Sequence, residues 1–343
     1  MLKFAVLPVL CLALYAAPSR AQTEAREPVP ASAPDTSVSA DEAPAAPEQI
    51  LVVGQKPGPG MWKVSKDDHV LWIFGTYSPL PVKMDWRSHE VEAVIKRSQE
   101  YLAPPVTKLE TSYFQVALAL PSLIGVNKNP DDAQLRDVLP AEVYARWLPL
   151  KEKYLPKNKE RDRPIFVANE LFSAALKQAG LTTSTDVRKQ VEKIVDQNKL
   201  KVTRTVNELK VDNPRQLIKD FKKSQLDDVA CFSTTLKRLE TDIDAMRVRA
   251  NAWAKGDIDV IRKLDFNEQE SCSNAIRNSA VLREHPAFQG AEERQRAMWL
   301  ANAEAALAKN ASSFALLSMK DLLDPKGLVA ALAAKGYKVE QPE

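Results

Sequence analysis

Two short runs, Met61-Trp62-Lys63-Val64-Ser65 and Val70-Leu71-Trp72-Ile73-Phe74-Gly75-Thr76, decide how this chain is read. Both are rich in aromatic and β-branched residues, and Lys66-Asp67-Asp68 between them is a turn signal. The pattern predicts an antiparallel hairpin with Trp62, Val64, Leu71 and Ile73 facing a core. Gly75 closes the second strand, and Ser78-Pro79-Leu80-Pro81 follows as a loop whose prolines forbid an immediate helix.

Working outward, a helix is expected from about Ser88 to Ser98, because Val91, Val94 and Ile95 recur at helical spacing. Tyr101–Val106 reads as a short strand that Pro104-Pro105 cuts off or places on an edge. From Thr111 to Phe266 the signal is mostly helical, with clear segments at Ala141–Tyr154, Asn169–Ala179 and Thr185–Gln197. Lys201–Val206 alternates like a strand, and Asn213-Pro214 opens a helical tract to Leu239, broken once near Ser224. Helices are expected up to Trp253, from Asp257 to Leu264 and from Glu292 to Lys309. Phe314–Ser318 is then a strand, Pro325–Lys335 a helix ended by Gly336, and Tyr337–Glu340 a last strand. Strands at both ends with helices between predict an α/β domain. Its mixed sheet is assembled from N- and C-terminal strands and flanked by helices, with a mostly helical middle section.

The ends of the chain speak to compartment. Lys3 precedes an apolar run, Phe4–Ala17, that is 14 residues long and contains Pro8. A spanning helix needs about 20 such residues. Pro18-Ser19-Arg20-Ala21 ends in a small-x-small pattern, so residues 1–21 are read as a cleavable signal peptide. Leu10 before Cys11 argues against lipidation. Residues 22–48 are rich in Ala, Pro, Glu and Ser and are read as a disordered linker. Residues 49–343 then form a single domain in the periplasm or outside the cell. No later run spans a membrane. A formal net charge of +3, with Lys and Arg interleaved among Asp and Glu, disfavours nucleic acid as a partner. After cleavage Cys231 and Cys272 remain. In an oxidising compartment a disulfide is expected ahead of free thiols, and no His or Cys lies at metal-ligand spacing from either.

Several segments taken together resemble the TraB/GumN family, which includes the metal-dependent Wnt-cleaving proteases called Tiki. Trp62-Lys63-Val64 leading into His69–Thr76 resembles the family's opening strands, which end in Gly-Thr-x-His. Asp85-Trp86-Arg87-Ser88 continues the match. Trp253-Ala254-Lys255-Gly256-Asp257 resembles its Trp-x-x-Gly-Asp segment, and Glu293-Arg294-Gln295-Arg296 a Glu-Arg-Asn-x stretch. Phe314 through Gly327-Leu328, then Gly336-Tyr337-Lys338-Val339, resembles the close, where a second Gly-x-x-His is usual. The resemblance covers roughly 59–340. It implies a mixed α/β fold with an active site where the two Gly-x-x-His motifs meet and a divalent metal that activates water.

The chain departs from that pattern at the motif positions themselves. The first reads Gly75-Thr76-Tyr77-Ser78 and the second Ser318-Met319-Lys320-Asp321, so Ser78 and Asp321 stand for the histidines and Ser318 for a glycine. An acidic position common after the first helix falls on Pro104. The histidines present, His69, His89 and His285, occupy no motif position. No Gly-x-Ser-x-Gly elbow makes Ser78 a nucleophile. Ser78 and Asp321 with Asp324 make a poor hard-cation site, and Lys320 or Arg294 could neutralise Asp321 directly. Gly75, Ser78, Arg294, Ser318 and Asp321 are therefore the candidate cleft, with no catalytic residue assigned and no metal or other cofactor expected. The expected protein is a non-catalytic relative, a pseudoenzyme that acts as a scaffold or binds a peptide or small ligand. The alternative is a metal-dependent peptidase using substituted ligands. Intact mass of the protein recovered from its native envelope should place the mature N-terminus at or near Gln22, and retention of Met1 would refute export.

Overall fold

The computed structural model describes residues 58–84, 86–183, 186–264 and 270–342. The expected signal peptide, the linker and Asp85 lie outside these residues. The hairpin forms as β1 (Met61–Lys66) and β2 (His69–Thr76). Its two-residue turn puts Asp67 at φ 54°, a left-handed conformation that Asp tolerates better than most side chains. Trp62 stands opposite Ile73 and Val64 opposite Leu71, so all four share one face, and all are buried. Phe74 is buried too, because β2 is an interior strand covered on both sides.

The last part of the chain completes the sheet. β9 (Ser312–Ser318) lies parallel to β2 from Val70↔Ser312 to Thr76↔Ser318, and β10 (Lys338–Glu340) pairs antiparallel with β1. Phe314, Ala315, Leu316 and Leu317 form an unbroken buried run, the signature of a parallel strand covered on both faces. β4 (Glu100–Leu102) runs parallel to β9, and β7 (Lys201–Thr203) parallel to β4. The sheet order is β10-β1-β2-β9-β4-β7. Pro104-Pro105 does end β4 at once, but β4 is an interior strand, not an edge.

The connections β2 to β4 and β7 to β9 cross the sheet in opposite directions, so right-handed crossovers place their helices on opposite faces. The helix His89–Arg97 packs with Asp186–Gln197, and Ala291–Lys309 packs with Leu328–Ala334. The helical middle builds a second core, in which Leu135, Trp147, Ile165, Leu171, Phe232 and Leu236 are buried. Cys231 and Cys272 join it at disulfide distance, with their Cα atoms 4.5 Å apart. Closing a loop of 41 residues contributes about 4 kcal/mol in the chain-entropy model.

Several boundaries differ from the sequence reading. The helix expected at Asn169 begins at Pro164, which accepts the first helical position because its missing N–H has no partner there. The helix expected at Pro325 begins at Leu328. Asp324 turns the chain first, its carboxylate accepting from Lys326 N and its carbonyl from Gly327 N. A five-residue helix, Met319–Leu323, precedes that turn. Beyond Pro105 the chain continues as β5 (Val106–Glu110), which pairs in parallel with β8 (Val206–Lys210), a ribbon the sequence reading did not include. β3 (Leu80–Pro81) and β6 (Leu181–Thr182) form a further small pair.

Glu100 opens β4 with its side chain almost wholly buried. Burial alone would raise its pKa. The hydrogen bonds from Thr203 Oγ1, from Lys201 Nζ at 2.9 Å and from Asn310 Nδ2 at 2.8 Å outweigh it and hold the carboxyl below its ordinary value. A depressed folded pKa contributes stability above the unfolded pKa, and that stability is lost as pH falls through the folded value. Glu100→Gln should cost about 1–3 kcal/mol near neutrality. In urea titrations at several pH values, the variant should also lose less stability than the parent as the solution is acidified.

Candidate functional site

The parallel strands β2, β9, β4 and β7 all end on the same side of the sheet, the side on which open α/β sheets place their ligands. At that end Thr76 is in register with Ser318, and Thr76 Oγ1 donates to Leu317 O at 3.1 Å. The two degenerate motif segments are thereby brought together. Gly75 lies beneath the turn after β9: a Cβ there would come within 2.4 Å of Leu322 Cδ1 and 2.6 Å of Met319 Sδ. Both side chains are buried, so apolar atoms fill the space over the end of β2.

Ser318 and Asp321 form a capping box. Ser318 Oγ accepts from Asp321 N at 3.2 Å and donates to the Asp321 carboxylate at 2.6 Å, and Ser318 N approaches the same carboxylate at 3.4 Å. The Ser-x-x-Asp spacing is a helix-start signature. It explains both departures from the motif: serine supplies the cap that glycine lacks, and Asp321 is turned back toward it. Ser78 is exposed and precedes Pro79.

The charges named in the sequence reading go elsewhere. Lys320 pairs with Glu270, which also meets Arg277 at 3.2 Å, and Arg277 reaches Glu292 at 2.7 Å. Arg294 donates to the carbonyls of Gln289 and, at 3.0 Å, Ala287, fastening the turn before its own helix. Neither cation pairs with Asp321, which corrects that expectation. Arg296, not Arg294, reaches the turn after Met319–Leu323, donating to the carbonyls of Lys326 and, at 3.1 Å, Gly327.

Beneath the strand end lies an arrangement that the sequence reading did not anticipate. Trp253 Nε1 donates to Gly75 O at 2.7 Å. One helical turn earlier, Arg249 Nε donates to Tyr77 Oη at 3.2 Å, and its other end pairs with Asp242. Burial pushes the Tyr77 hydroxyl pKa up despite the neighbouring guanidinium. Trp253 also meets Phe74 and Trp86, with ring centroids 6.0 and 6.1 Å away. Arg249 and Trp253 are four residues apart and so share a helix face. An arginine on the buried face, one turn before the motif tryptophan, was the available signal.

A divalent metal, which the resemblance implies, finds a poor donor set here. Ser78 is a neutral hydroxyl and Asp321 is committed to its cap. Among the described residues no three His, Cys, Asp or Glu side chains are grouped to hold an ion. His69 Nδ1 lies 2.6 Å from Leu307 O, His89 is exposed at the start of its helix, and His285 stands edge-on to Phe288. Among the described residues, those at the motif positions do not fit the metal. A cavity of about 440 Å³ opens beside the chain after Ser78, lined by Leu80, Met84, Trp86 and Val187 together with Lys83, Thr182, Asp186 and Gln190.

Residues 60–341 match the model of the TraB/PrgY/gumN family. No curated protein and no solved structure gives a significant match.

Arg249→Met should strand the Asp242 carboxylate and the Tyr77 hydroxyl, at a cost of about 3–5 kcal/mol. Tyr77→Phe, which removes a single hydrogen bond, should cost only about 1 kcal/mol. Chemical denaturation of both variants measures the difference.

Proposed function

Since this chain belongs to the TraB/PrgY/gumN family, we propose that it is an exported, non-catalytic member that keeps the sheet as a scaffold and binds a peptide or small ligand. The observation that carries this reading is the state of the two motif positions. Ser78 offers a neutral hydroxyl, and the Asp321 carboxylate is engaged by Ser318. Hydrolysis by metal-activated water ordinarily takes three protein ligands and an open position. Met319 and Leu322 packed over Gly75 further support a closed strand end.

Export is supported by the leader-like residues 1–21 and by Cys231 and Cys272 at disulfide distance, a pairing suited to an oxidising compartment. Among the described residues no helix is long and apolar enough to cross a membrane. For binding, the cavity beside Leu80 and Trp86 has mixed walls: Leu80, Met84, Trp86 and Val187 are apolar, and Lys83, Thr182, Asp186 and Gln190 add polar and charged groups. Trp86 is held by stacking on Phe74 at 5.3 Å and by its indole N–H donating to Gln190 Oε1 at 3.0 Å. A ligand there would meet a preformed aromatic wall.

Metal analysis of the purified protein should find no stoichiometric divalent ion, and peptide hydrolysis should stay at background with added Mn²⁺ or Co²⁺. Asp321→Ala should lower stability by about 1 kcal/mol through loss of the carboxylate half of the capping box, while Ser318 still accepts from the backbone N–H of residue 321. Ser78→His with Asp321→His should raise affinity for Mn²⁺ or Zn²⁺. Tight metal in the parent protein, lost in Asp321→Ala together with hydrolysis, would sink the proposal in favour of a peptidase using substituted ligands.

A further inference from the structure

From Thr111 to Asn127 the chain carries no charged residue. Such a stretch normally enters a core. Here it forms the helix Tyr113–Ala119 and the 3₁₀ turn Leu120–Leu123, and of the helix only Ala119 is buried. Tyr113 is 84% exposed, Phe114 71% and Ile124 78%, and Val116, Leu118 and Leu120 are exposed as well. These are six of the eleven large apolar side chains exposed among the described residues, so the concentration is not the ordinary scatter of a protein surface.

The surroundings of this face carry charge. β5 and β8 run side by side in parallel, and each leads into a helix at the same end: β5 into Tyr113–Ala119 and β8 into Pro214–Lys223. The two helices pack together, and Lys222 Nζ donates to Ile124 O at 2.5 Å. Pro214–Lys223 carries Arg215, Lys219 and Lys223 at four-residue spacing, so they form one row. None of the three has an ion pair among the described residues. An apolar tip with aromatic side chains, flanked by unpaired cations on long aliphatic stems, has the chemistry of a segment that lies in a membrane interface. An anionic surface is the occupant that complements this row of cations.

We propose that this arm docks the protein on a bilayer containing anionic lipid, with Tyr113, Phe114, Leu120 and Ile124 entering the headgroup boundary and Arg215, Lys219 and Lys223 meeting lipid phosphates. The arm lies on the membrane and does not span it. The inference is independent of the ligand cavity and of the motif positions.

The test is co-sedimentation of the chain from Gln22 to Glu343 with phosphatidylcholine vesicles, with and without phosphatidylglycerol. The protein should bind the anionic vesicles at least tenfold more tightly, and added salt should weaken that binding. Phe114→Asp with Ile124→Asp should abolish it, and Lys219→Glu with Lys223→Glu should reduce it by roughly tenfold or more. Because all four side chains sit on the surface, circular dichroism and thermal melting should match the parent. No binding to anionic vesicles, or binding that both double variants retain, would overturn the proposal. So would dimerisation in light scattering that Phe114→Asp with Ile124→Asp removes, without any vesicle binding, which would make the arm a protein–protein interface.

Discussion

The parallel pairing of Val70–Thr76 with Ser312–Ser318 is the interaction on which the rest of this structure depends. It joins segments separated by most of the domain: Thr76 and Leu317, which share a hydrogen bond, are 241 residues apart. A pairing of that span repays its loop-closure entropy only once the flanking helices have packed. The interior between the strands and those helices supplies the driving force, with Trp62, Ile73, Phe314, Trp299 and Trp253 all in one buried cluster. The helical middle has its own core and its own covalent tie, but it hangs from a sheet that neither end of the domain can build alone.

The same pairing sets the site. It aligns Thr76 with Ser318, so whatever follows each strand must share one small volume. In this chain the volume is divided between packing and capping. Gly75 lets Met319 and Leu322 settle onto β2, and Trp253 fixes the Gly75 carbonyl from below. Ser318 and Asp321 satisfy the first turn of the helix that follows. Gly75, Ser318 and Asp321 at these two strand ends are thus each engaged in packing or capping.

Periodicity made the outer frame readable. Alternation in Met61–Thr76 and the apolar run at Phe314 are local signals, and the hairpin and β9 followed from them closely. Ala141–Tyr154 and the break at Ser224 were equally local, set by Pro140 and by the change in pattern. The β5–β8 ribbon was not readable, since Val106–Glu110 is largely exposed and lacks a clear alternation; its order comes from a partner strand about a hundred residues away. The Tyr77–Arg249–Asp242 contact was hidden for the same reason, because proximity in space leaves no mark on spacing along the chain. The positions of Gly75, Ser318 and Asp321 were legible through motif resemblance, whereas the Ser318–Asp321 cap needed only the Ser-x-x-Asp pattern and could have been read without it.

The two borders of the main sheet carry a further consequence. β10 and β7 are each three residues long, and each bears a lysine, Lys338 on one and Lys201 on the other. A strand that short presents few open N–H and C=O groups, and a charged side chain disfavours the close approach of a foreign strand. The long apolar strands β2 and β9, which would be the hazardous templates, are held inside where no other chain can reach their backbones. The sheet is thus finished at both margins, and its hydrogen-bonding pattern gives little purchase for growth into an aggregate.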